Sequence, residues 1–121
     1  MNQQIINQLK KDFNKFKTKV LAILLYGSYI NGKEISRSDI DICIVAGNLE
    51  KAKELYKETL SLQVKEPKYD IHIFELMPLY LKNEIINNNQ IIFAKSPSEL
   101  SYYFYFFRKL WQDQAINRIE Q

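Results

Sequence analysis

With 121 residues the chain is the size of one domain, able to bury about 65–70% of the surface its unfolded form exposes. Apolar residues make up 46% and charged residues 26%, the proportions of an ordinary soluble globular protein. The 17 basic against 14 acidic residues leave a net charge of +3, which suits a phosphate-rich ligand without demanding nucleic acid.

The lysines are scattered over presumed helix faces and form no stripe, so nucleic-acid binding is not expected. A single cysteine, Cys43, rules out an intramolecular disulfide framework and fits a reducing compartment. No apolar run approaches the roughly 18 residues that span a membrane. The start, Met1-Asn2-Gln3-Gln4, lacks the basic and apolar regions of a signal peptide. A cytoplasmic protein without membrane contact is the expectation.

Residues 3–17 carry Ile5, Ile6, Leu9, Phe13 and Phe16 at helical spacing with lysines between them, which predicts an amphipathic helix. Residues 20–26 are a short apolar run ended by Gly27, read as a buried strand. Residues 29–37 are polar, contain Gly32 and read as a loop with room for one helical turn. A second strand is predicted over 39–46, broken by Gly47, after which Asn48 is a good N-cap for a helix over 49–62. Beyond Pro67, residues 68–76 predict a third strand with Asp70, His72 and Phe74 on one face and Ile71 and Ile73 on the other.

Pro78 opens a helix over 79–87, the run Asn87-Asn88-Asn89 ends it, and residues 91–94 form a short fourth strand. Ser96-Pro97-Ser98-Glu99 is a capping box, and it starts a long last helix to about residue 119. That helix contains Tyr102-Tyr103-Phe104-Tyr105-Phe106-Phe107 and later Trp111. Leu100, Tyr103, Phe104, Phe107, Leu110 and Trp111 suffice for one core face, which leaves Tyr102, Tyr105 and Phe106 for a partner or for self-association. The rings could also stack on bases, but no dense basic patch accompanies them. The alternation predicts an α/β (α+β) fold, a single domain over residues 1–121, with a small mixed sheet of about four strands and helices packed on one face.

Asp39 and Asp41 lie two apart, so alternation puts both carboxylates on one face of the second strand. Two close negative charges repel and resist burial. They are explained if they hold divalent cations against a polyphosphate. Ten residues before the pair, Gly27-Ser28 ends the first strand. The glycine lets backbone approach a phosphate, and the serine offers donors to its oxygens. Ser38 either turns the chain into the strand or reaches phosphate. Asp70 is the candidate third carboxylate, and together the three could grip two Mg²⁺ ions about 3.5–4 Å apart. His72, on the face of Asp70, is read first as a hydrogen-bonded, partly buried histidine and second as a general base or metal neighbour. The run Gly27-Ser-Tyr-Ile-Asn-Gly32-Lys33 mimics a phosphate-binding P-loop, but Glu34 stands where Ser or Thr should hold Mg²⁺ and a strand follows too soon.

Gly27-Ser28, ten residues, then Asp39-Ile40-Asp41 within a strand, with Asp70 on a later strand, resembles the signature of the DNA polymerase beta-like nucleotidyltransferase superfamily. The likeness is strongest to its minimal single-domain members and covers residues 20–76 by motif and the whole chain by element order. The resemblance implies transfer of a nucleoside monophosphate from an NTP such as ATP to an acceptor hydroxyl, with two Mg²⁺ ions. Asp39, Asp41 and Asp70 would be the metal ligands and catalytic residues. Gly27, Ser28 and Ser38 would be the nucleotide-binding residues. It also implies a partner, because minimal nucleotidyltransferases are commonly paired with a small helical toxin of the HEPN type. They act there as antitoxin by placing AMP on a toxin tyrosine. The chain departs from the pattern where basic residues usually follow Gly-Ser: Tyr29 and Asn31 stand there, with Lys33 and Arg37 nearby. The departure keeps open a weak or inactive subunit that neutralises its partner by binding alone.

Overall fold

The computed structural model describes residues 3–27 and 40–120. Ser28, Ser38 and Asp39, and the loop expected at 29–37, lie outside the described residues.

The first helix, α1, spans Gln3–Asp12 and is shorter than the predicted 3–17. After it the chain tightens into a 3₁₀ turn, Asn14–Phe16, so that Phe13 and Phe16 both enter the core with ring centroids 6.0 Å apart. Strand β1 is Ala22–Tyr26 and β2 is Ile40–Val45. Helix α2, Leu49–Lys65, begins where the Asn48 side chain accepts the Lys51 N–H at 2.8 Å. Strand β3, Tyr69–Ile73, leads into a 3₁₀ turn, Phe74–Leu76. Helix α3 is Leu79–Asn87, β4 is Gln90–Ala94, and α4 runs over Pro97–Glu120. The Ser96 hydroxyl accepts the Glu99 N–H at 3.3 Å, as the capping box requires.

The sheet has the order β3-β2-β1-β4. β1 pairs antiparallel with both β2 and β4, while β2 and β3 pair in parallel. A parallel pair needs a long crossover, and α2 supplies it.

Both faces of the sheet are covered, whereas helices on one face were expected. On one side Ile23, Leu25, Ile42 and Ile44 pack with Leu9 and Phe16, and with Ala52, Leu55 and Leu62 of α2. On the other, Ala22, Leu24, Cys43 and Val45 pack with Phe74, Ile85, Leu100 and Phe104 from the α3–α4 side. The physical reason is that the central strands are apolar at every position above their polar ends, so each face has to be kept from water.

Two polar devices hold the periphery. Gln63 of α2 lies along the outer edge of β3: its Nε2 donates to the Tyr69 carbonyl and its Oε1 accepts the Ile71 N–H at 2.8 Å. Glu75 is the second. Its carboxylate accepts the N–H groups of Ala46 and Gly47 at 3.0 and 2.9 Å, and the Tyr103 hydroxyl at 2.8 Å. This explains why β3 stops at Ile73 short of the predicted residue 76. The chain has to fold back to bring Glu75 to the end of β2, and Phe74 turns inward beside Phe104 and Phe107, with centroids 5.3 and 5.2 Å away.

On α4, Leu100 and Phe104 are buried, and Tyr102, Tyr105 and Phe106 stand in solvent at 79%, 59% and 58% exposure. Leu110, expected in the core face, is exposed as well, while Trp111 and Ala115 further along the helix are partly buried, so the covered line of α4 passes beside it. Glu75→Ala leaves two backbone donors and a tyrosine hydroxyl without their acceptor, so urea unfolding should show a loss of about 2–3 kcal/mol. Tyr103→Phe, which removes one bond and leaves the backbone donors paired, should lose about 1 kcal/mol.

Candidate active site

Strand register brings three polar side chains abreast. Tyr26 at the end of β1 pairs with Asp41 near the start of β2, and Asp41 pairs with Asp70 near the start of β3. Residues opposite one another point to the same face, so the row reads Tyr26, Asp41, Asp70 at steps of about 4.8 Å. The face is the one on which Leu24, Cys43 and Val45 are buried further along the strands. The apolar core therefore acts as a rigid floor that ends at a polar rim.

Asp41 is partly buried and the Asp70 side chain is 46% exposed. His72 Nε2 lies 3.0 Å from Asp70 Oδ1, and the imidazole is about half exposed. The ring is more open to water than the partly buried histidine expected from the sequence. Burial first, and then Cys43, Asp41 and Asp70 beside it, pushes the Tyr26 phenol well above its ordinary range. Its hydroxyl is thus a neutral donor at any physiological pH.

Gly27 has φ +78° and closes tightly on Asp41, since a Cβ built there would sit 2.1 Å from Asp41 Oδ2. Glycine is required twice over, by the left-handed backbone and by the carboxylate against it. The sequence suggested only the approach to a phosphate; the seat for Asp41 comes from the fold.

Two carboxylates side by side raise each other's energy unless a cation joins them. Their oxygens are the hard donors that Mg²⁺ prefers, and the rim is open to solvent, so the residues present fit a divalent ion. Between the Tyr26–Gly27 end of β1 and helix α3 there is also a cleft of about 490 Å³, lined by Leu81, Ile85, Asn83 and Asn87 among others. Sequence reasoning missed both Tyr26, read as the end of an apolar run, and the α3 wall, read as a plain helix. A tyrosine one residue before the Gly-Ser step was the available signal.

This geometry is that of a known class. Residues 3–98 match the family described as Polymerase beta, Nucleotidyltransferase, and the chain belongs to it and is a nucleotidyltransferase. Among individual proteins it is similar to the Methanocaldococcus jannaschii protein named "Putative protein adenylyltransferase MJ1547", with 49% identity over 96 residues, 79% of this chain and 73% of the relative. Solved structures share the fold. One is a toxin–antitoxin with AMP-PNP, with TM-score 0.69, 19% identity, and coverage of 95% of this chain and 93% of that one. Another is the MNT antitoxin in complex with a tri-AMPylated Shewanella oneidensis HEPN toxin, with TM-score 0.65, 19% identity, and coverage of 99% and 94%.

Gly27→Ala should be among the most damaging small substitutions in the chain. It should lower stability by about 1–3 kcal/mol in chemical denaturation. In a heteronuclear NMR spectrum the largest shifts should fall on Asp41 and its strand neighbours.

Proposed function

We propose that the chain transfers AMP from ATP to a hydroxyl of a partner protein, a tyrosine of a small helical HEPN-type toxin, and so acts as its antitoxin in the cytoplasm. The observation that carries this reading is the pairing of Asp70 with Asp41, whose carboxylate lies against Gly27. The relative named as a protein adenylyltransferase and the structural neighbours bound to AMP-PNP or to an AMPylated toxin support the choice of nucleotide and acceptor. The exposed rings of Tyr102, Tyr105 and Phe106 support a protein partner or a second copy of the chain.

In this reading Asp39, Asp41 and Asp70 would hold two Mg²⁺ ions. The ions would neutralise the triphosphate and acidify the acceptor hydroxyl. Gly27 and Ser28 give backbone and hydroxyl donors to the β- and γ-phosphates, with Ser38 as a further donor. Asp70, on the edge strand, faces the acceptor, orients its hydroxyl and takes its proton. His72 holds the Asp70 carboxylate through the 3.0 Å contact. The acceptor oxygen forms a bond to the α-phosphorus, the bond from that phosphorus to the bridging oxygen breaks, and pyrophosphate leaves with the electron pair.

A second reading, neutralisation by binding alone, is favoured by one feature, the Tyr29 and Asn31 side chains where basic residues usually follow Gly-Ser. ATP labelled at the α-phosphate separates the two readings. The chain, Mg²⁺ and the HEPN-type partner should give labelled partner, and ATP labelled at the γ-phosphate should give none. Asp41→Asn and Asp70→Asn should each lower the transfer by about 10²–10³-fold, the scale of losing one preorganised charged group. Absence of transfer by the unaltered chain, with a tight complex retained in both variants, would establish the binding-only reading.

A further inference from the structure

Helix α2 carries two apolar stripes and uses only one of them in the core. Ala52, Leu55, Thr59 and Leu62 are buried against the sheet. Leu49, Tyr56, Leu60 and Val64 recur at helical spacing on another side, where Val64 is 81% exposed and the other three about half. That side turns toward the outer edge of β3. Tyr56 and Leu60 line a groove there with Ile71, His72, Leu76 and Met77, and Leu76 is again about half exposed. Large apolar side chains gathered in solvent at one place mark a surface that another molecule covers.

The groove holds about 160 Å³, below the roughly 300–1,000 Å³ of small-molecule sites, and suits a side chain inserted from a protein. His72 lies in it and contacts Asp70 at 3.0 Å, so one end of the groove opens at the carboxylate row. The rings of α4 are placed differently. Tyr102 shares a hollow with Leu21 and Gly47, beyond the ends of β1 and β2 that lie away from Asp41.

Charge narrows the choice of occupant. Lys53 and Lys57 stand exposed, one turn apart beside the stripe, and no described carboxylate lies within ion-pair reach of either. Glu54 and Glu58 of the same helix face a separate hollow beside Lys19. A second copy of the chain would bring the basic row against its own image, since a two-fold interface pairs each surface with itself. The complementary occupant is a protein whose apolar ridge is flanked by carboxylates. It meets side chains first, because Gln63 already occupies the Tyr69 carbonyl and the Ile71 N–H on this edge.

We propose that the exposed stripe of α2, with the groove it forms against the edge of β3, is the docking surface for the acceptor protein. That protein lays an apolar ridge with acidic flanks along α2 and so brings its hydroxyl past His72 to Asp70. The proposal rests on the nucleotidyl-transfer reading and adds to it the place where the acceptor is held. Leu60 and Val64 are the apolar anchors, and Lys53 and Lys57 fix the orientation by charge.

Two measurements on the full chain test this together: calorimetric binding of the HEPN-type partner, and labelling of that partner from α-labelled ATP with Mg²⁺. Leu60→Glu and Val64→Glu should each weaken partner binding by about 10–100-fold, the worth of an anchor buried at an interface. The partner concentration that gives half-maximal labelling should rise in step. The rate at saturating partner and the affinity for a nonhydrolysable ATP analogue should not change. Lys53→Glu combined with Lys57→Glu should also weaken binding and flatten its dependence on salt. All four side chains are exposed, so thermal unfolding of the variants should match that of the unaltered chain. Labelling and binding that none of these changes affect would overturn the proposal and leave the transfer reaction standing. A loss confined to Tyr102→Glu would place the partner on α4 and overturn it too. So would a dimer of the unaltered chain that Leu60→Glu dissociates in sedimentation, since the occupant would then be a second copy. If the unaltered chain bound the partner through these residues but transferred no label, the transfer reading would fall, and with it the role of this surface in presenting an acceptor.

Discussion

The parallel pairing of β2 with β3 is the constraint on which the rest of the structure depends. In that register, Asp41 and Asp70 lie side by side. A shift of one residue would send either carboxylate to the opposite face, into the aliphatic core beneath α1 and α2. The register is held from several directions. Aliphatic side chains on both faces of β2 leave no other arrangement that buries them. α2 makes the crossover, and Gln63 on it clasps the far side of β3. Glu75 ties the end of the β3 segment to the end of β2. Two like charges are thus placed together by forces that act mostly elsewhere.

This division of labour explains why a small domain can carry a demanding site. The electrostatic strain of adjacent carboxylates is local, while the burial that offsets it is spread across both faces of the sheet. The rigid floor under the rim matters for chemistry. Groups held in place before substrate arrives need no rearrangement during reaction. Gly27 shows the same economy: one missing side chain sets a backbone turn and leaves space for a carboxylate oxygen.

Much of this was legible in the sequence, and the limits have physical causes. The strands at Ala22–Tyr26 and Ile40–Val45 stood out because apolar runs of that length between turn residues have few other uses. Asp70 was harder to read, since a lone aspartate opening a strand is unremarkable until its neighbour is known. Only strand pairing, a long-range property, put it beside Asp41. The end of α1 at Asp12 was missed because the apolar spacing continues through Phe16. Periodicity cannot tell an α-helix from a helix that tightens. β3 was read too long because Phe74 continues the alternation, and the pull of Glu75 toward β2 has no local mark. Leu110 fits the helical spacing of the core face as well as Trp111 does, but the covered line of α4 runs through Phe107 and Trp111 and leaves it outside. The coverage of both faces followed from Cys43 and Val45 as plainly as from the isoleucines, although helices were expected on one face alone.

The Gln63 clasp has a consequence for assembly. The outer edge of a sheet offers unpaired backbone groups to any strand that comes by, and a bare edge invites end-on polymerisation. On β3 the Tyr69 carbonyl and the Ile71 N–H are already taken by one amide side chain. The start of that edge, nearest Asp70, is thus blunted against a visiting strand. Beside Asp70 a partner meets side chains before backbone, which keeps that end of the sheet accessible while making strand addition there less favourable.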